Sequence, residues 1–128
     1  MNKDMIKFVE NDKFAAYMGM KIIKIDQGYA VTQMEINDNH LNGVNIVQGG
    51  VIFTLADYAF AAAANSKGFA TLGINASISY FKSPQGKVLT AEAREISSGN
   101  KLCSYNVDVF DENHDLIARF NGSGYIKR

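Results

Sequence analysis

The sequence predicts an α+β fold in which a curled antiparallel sheet of five to six strands wraps one long central helix at about residues 49–66. Three observations carry that expectation. The longest apolar run, Val51 to Ala64, reads as a helix with apolar residues on nearly every side, and such a helix has to be buried because a surface helix keeps one polar face. Most of the remaining chain alternates apolar and polar residues between clusters of Gly, Asn, Asp and Ser, the pattern of short strands and turns. A small sheet is then the only long element able to cover the helix, and it covers it by curling round it.

Each element has its own signal. Met5, Ile6, Phe8, Val9, Phe14, Ala15 and Ala16 stand among charges over residues 2–16, a short amphipathic helix broken near Asn11-Asp12. Lys21 to Asp26, a Gln27-Gly28 turn and Tyr29 to Ile36 form a hairpin. The polar run Asn37 to Asn45 is a loop that delivers the chain to the central helix, since its four Asn and one Gly favour turns. The helix ends at Asn65-Ser66-Lys67-Gly68, with Gly68 as a left-handed cap and Lys67 at the negative end of the dipole. Strands follow over Phe69 to Lys82, Lys87 to Ile96, Lys101 to Phe110 and Leu116 to Ile126, separated by turns that include the only proline, Pro84.

Composition narrows the classes of function. A chain of 128 residues, 47% of them hydrophobic, fits one domain spanning 1–128. Thirteen basic and thirteen acidic residues give zero formal charge, with no basic block to serve as a nucleic-acid footprint. The single cysteine, Cys103, excludes an internal disulfide and a cysteine-based zinc site and fits a reducing, cytoplasmic compartment. The first seven residues carry charges where a signal peptide needs an apolar core. The central apolar run is too short to cross a bilayer, which takes about 20 residues. His40 and His114 lie in polar turn segments, where solvated rings are expected, and neither has metal-ligand spacing to a second His or Cys.

The chemistry concentrates at the central helix. Asp57 is its one carboxylate, and a charge on an apolar helix is costly unless it is paired or used. Gln48-Gly49-Gly50 opens the helix, where the first N–H groups are unpaired and carry the positive end of the dipole. Together with Asn42-Gly43, Leu55-Ala56-Asp57, Asn65-Ser66 and Ile78-Ser79-Tyr80-Phe81-Lys82-Ser83-Pro84, this string resembles the hot-dog-fold acyl-CoA thioesterases of the phenylacetate-pathway (PaaI-like) group, within the 4-hydroxybenzoyl-CoA thioesterase superfamily. The resemblance covers about residues 14–126.

It implies dimers joined sheet edge to sheet edge, commonly paired into tetramers, and hydrolysis of an acyl-CoA to free acid and thiol. Coenzyme A is then part of the substrate, and no separate cofactor, metal, nucleic acid or membrane is implied. By the same resemblance Asp57 is the general base or nucleophile, Gly49 supplies the N–H that polarises the thioester carbonyl, and Asn42 positions the attacking water or carboxylate. Gln48, Gly50, Thr54, Asn75 and Lys82 are further substrate-binding candidates. Gln48 departs from the usual His-Gly-Gly and cannot titrate.

Spacing adds a constraint. Asp57 lies eight residues beyond Gly49, about 12 Å along a helix, too far for both to serve one carbonyl from one chain. A site using both therefore combines two subunits. The competing readings are an Asp57 that pairs with a lysine or caps a loop, a non-catalytic acyl-CoA or lipid-binding module, and an acyl-thioester dehydratase or hydratase. The last wants a His beside the helix, and His40 is the nearest in sequence.

Overall fold

Alternation gives each strand one apolar face, and in the folded chain those faces turn toward the same helix. The structure, a computed structural model, describes residues 3–128, with side chains from residue 6 onward. The expected helix start at Asn2 and the apolar role of Met5 lie outside the described residues. Six strands form one antiparallel sheet: β1 (Met20–Asp26), β2 (Tyr29–Glu35), β3 (Ala70–Tyr80), β4 (Val88–Ser98), β5 (Leu102–Phe110) and β6 (Leu116–Lys127). Their spatial order is β1-β2-β4-β5-β6-β3, so β1 and β3 are the two edges.

The central helix, α3 (Gly49–Asn65), lies against all six strands. Its alanines explain how closely it approaches: Ala56, Ala59, Ala62 and Ala63 are fully buried and leave no side-chain bulk between helix and sheet. Phe60 lies over Gly122 of β6, where an added Cβ would fall 3.2 Å from the ring. Inward residues of β2 and β4, Ala30, Met34, Leu89, Ala91 and Ala93, complete the covered side. The inward Thr32 hydroxyl donates to the Leu55 carbonyl at 3.0 Å, so burial leaves it paired.

The N-terminal break falls where expected, between α1 (Lys3–Glu10) and α2 (Lys13–Tyr17). Asp12 causes it by acting as the N-cap of α2 and accepting from the Ala15 N–H at 3.0 Å. At the other end, α3 stops at Asn65, one residue short of the predicted 66, with Ser66 as its cap and Gly68 at a φ of 96°. Lys67 forms an ion pair with Glu95 of β4.

One expectation is corrected in the loop before α3. His40 is not solvated: it ends a 3-10 turn over Asp38–His40 and is 1% exposed. Its Nδ1 accepts from the Asn37 N–H at 3.0 Å, which leaves the proton on Nε2 to donate to the Met18 carbonyl at 2.9 Å. Two protein partners replace water, and the ring ties the loop to the end of α2. His114 behaves as expected, exposed in its turn and stacked on Phe110.

Candidate active site

Exposure along α3 shows where chemistry can take place. Gly50 and Asp57 are exposed and Phe53, Thr54 and Ala61 are half-buried, while Val51, Ile52, Leu55, Ala56, Tyr58, Ala59 and Phe60 are buried. The open positions fall at i, i+3, i+4, i+7 and i+11, one stripe of the helix. Asp57, the only charged residue of α3, sits on that stripe. Among the described residues its carboxylate has no hydrogen bond and no ion pair, so the lysine partner considered from sequence is absent.

Although Asp57 reaches solvent, the protein around its carboxyl group strips enough hydration to hold its pKa above the ordinary aspartate value, and the nearby Asp12 charge adds to the rise. Such a carboxylate is a better proton acceptor than a fully solvated one. Asp12 is a residue that pattern reading does not link to the site. Its only sequence signal is that of a helix cap.

The first turn of α3 gathers four of the predicted residues, Gln48, Gly49, Gly50 and Thr54. Gln48 is the N-cap, and its Oε1 accepts from the Gly50 N–H at 2.6 Å. Any Cβ on Gly50 would come within 2.7 Å of that oxygen, so glycine is needed for this cap. The Thr54 hydroxyl donates to the Gly50 carbonyl at 2.7 Å. The Gly49 N–H has no acceptor among the described residues and is left to point outward at the positive end of the helix.

Tyr80, at the end of β3, holds this terminus in place. Its hydroxyl donates to the Gly49 carbonyl at 2.8 Å, and its ring would lie 3.2 Å from a Cβ at Gly49. Gly49, Tyr80 and Lys82 line one groove of about 320 Å³. Lys82 itself is bonded to Asp115 at 2.8 Å.

Two predicted residues are placed otherwise. Asn42 stands in the loop before the helix, but its Oδ1 accepts from the N–H groups of Val44 at 3.0 Å and Ile46 at 3.1 Å, so that oxygen closes the loop. Asn75 is exposed on edge strand β3, beside a bulge after Gly73. Among the described residues no cluster of metal-ligating side chains occurs and no helix is long and apolar enough to cross a membrane.

Comparison with known proteins bears on the family and the fold. Residues 44–118 match the model of the Thioesterase superfamily. An acyl-coenzyme A thioesterase PaaI of Escherichia coli strain K12 is 34% identical over 117 residues, 91% of this chain and 84% of that protein. A protein of Archaeoglobus fulgidus, provisionally named an esterase, is 41% identical over 91% of this chain and 76% of its own length. The solved structure of the E. coli PaaI protein superposes with a TM-score of 0.92 at 31% identity, over 98% of this chain and 92% of that one.

Proposed function

This chain belongs to the thioesterase superfamily, with the hot-dog architecture of PaaI, and we propose that it hydrolyses an acyl-CoA to a free acid and coenzyme A. The observation that carries the proposal is the placement of Asp57: a carboxylate of raised pKa, without a partner among the described residues, on the open stripe of an otherwise buried helix. Asp57 takes a proton from water as the water oxygen attacks the thioester carbonyl carbon. The developing oxyanion is met by the Gly49 N–H and the helix terminus behind it. Collapse breaks the C–S bond, and the thiolate leaves with a proton returned from Asp57.

The two groups come from different copies of the chain. Within α3 they are separated by about 12 Å along the axis. The β3 edge supports a second copy: it runs for eleven residues without a charge, and Leu72 and Ile74 on it are 59% and 58% exposed. An edge of that length with no charge or proline is a template for pairing. A homodimer joined along β3, itself able to pair into a tetramer, therefore belongs to the proposal, as does a cytoplasmic location.

Thiol release from a panel of acyl-CoA substrates tests the activity, beside the Asp57→Ala variant. No release from any member overturns the function, and an unchanged rate in the variant overturns the site. A non-catalytic acyl-CoA binder would instead show saturable binding without turnover.

A further inference from the structure

Another groove lies at the far end of the open stripe. It measures about 540 Å³, and Phe8 and Val9 of α1, Ala61 of α3 and Leu72 of β3 supply its apolar wall. Ala61 stands one turn beyond Asp57, about 6 Å along the axis, on the same stripe. A thioester whose carbonyl sits at Asp57 has two directions in which to send its arms. Toward Gly50 it meets the first turn of its own helix, which on the hydrolase reading serves the site of the other copy, with Lys82 nearby. Toward Ala61 it meets an apolar trough of a size suited to small-molecule ligands. The trough carries one carboxylate and one ammonium, Asp12 and Lys127, and so has no net charge to attract an ionised group.

We propose that this groove holds the acyl group of the substrate, and that α1, through Phe8, sets a preference for uncharged apolar acyl groups of more than a few carbons. The inference rests on the hydrolase reading for the position of the carbonyl. Phe8 supports it independently: it is 77% exposed on a helix packed against α3, a large ring presented to the groove. An acyl chain lying between Phe8 and Ala61 would cover it.

The test uses the full chain and a series of non-hydrolysable S-alkyl coenzyme A thioethers, from ethyl to octyl, titrated by calorimetry. Each added methylene is expected to tighten binding up to roughly fourfold until the groove is filled. Ala61→Phe should abolish the gain for the longer members, and Phe8→Ala should shrink it. Circular dichroism checks that each variant is folded, and Ala61→Met serves if the phenylalanine is not tolerated. Wild-type affinity that is flat along the series, or a length dependence that survives both substitutions, overturns the inference. Because binding is read without turnover, failure of the hydrolase reading appears separately, as no thiol release from acyl-CoA.

Discussion

The two faces of α3 obey different rules although they belong to one helix. The sheet-facing side is small and apolar, and Leu55, Ala56, Ala59, Ala62 and Ala63 are fully buried there. The open stripe carries Gly50, Thr54 and Asp57, the last of them the helix's only charge. Burial on the first face stabilises the fold, and exposure on the second leaves a charged group free to react. A helix that looks uniformly apolar in sequence thus separates stability from chemistry by angle alone.

Substitutions on the two faces test that separation. Asp57→Asn should reduce kcat about 10²- to 10⁴-fold without lowering the thermal midpoint. The sign follows from the raised pKa: the fold disfavours the ionised carboxylate, so removing its charge relieves the protein at neutral pH, and the difference vanishes as pH falls through the folded-state pKa. A loss of stability matching the loss of rate would merge the two faces. Leu55→Ala, on the other side, should cost about 2–5 kcal/mol of unfolding free energy in a urea titration, while folded molecules keep most of their kcat. A proportionate fall in kcat per folded molecule would contradict that assignment.

Smaller effects sharpen the boundary. Gln48→Ala removes the cap on the Gly50 N–H and should cost about 1 kcal/mol, with a rise in KM because the helix terminus it orders is part of the stripe. Asp12→Asn should act on the pH profile: with that charge gone, the acid limb of kcat/KM moves to lower pH, since Asp12 helps to raise the Asp57 pKa. A limb that stays in place would mean that hydration loss alone sets the Asp57 value.

Much of this architecture is written locally and was legible. The hairpin at Gln27-Gly28, the alanine-rich helix, its stop at Gly68 and the alternating strands each follow from residues close in sequence. The positions of the carboxylate on the central helix and of the glycine pair that opens it were legible for the same reason. Pairings across the fold were not. Burial of His40 depends on the Met18 carbonyl, twenty-two residues away. The engagement of Lys82 depends on Asp115, and the influence of Asp12 depends on the path of α1 and α2 over α3. Periodicity reports which way a side chain faces but carries no information about which distant group it will meet. Asn42 is an intermediate case, because an Asn in a run of turn residues is apt to spend its oxygen on the loop itself.

The two sheet edges differ in a way that matters while the chain is being made. β1 carries Lys21, Lys24 and Asp26, and its partner β2 follows it directly. β3 has no charge and no proline, and among the described residues its partner in the sheet is β6, which follows only after β4 and β5 in the chain. While β4 and β5 are being made β3 therefore waits with both of its edges open, in the state in which uncharged strands adhere to one another. Truncation within β6 should turn a folded product into an insoluble one, and slowed translation of β6 should increase the demand for chaperones that hold nascent strands apart.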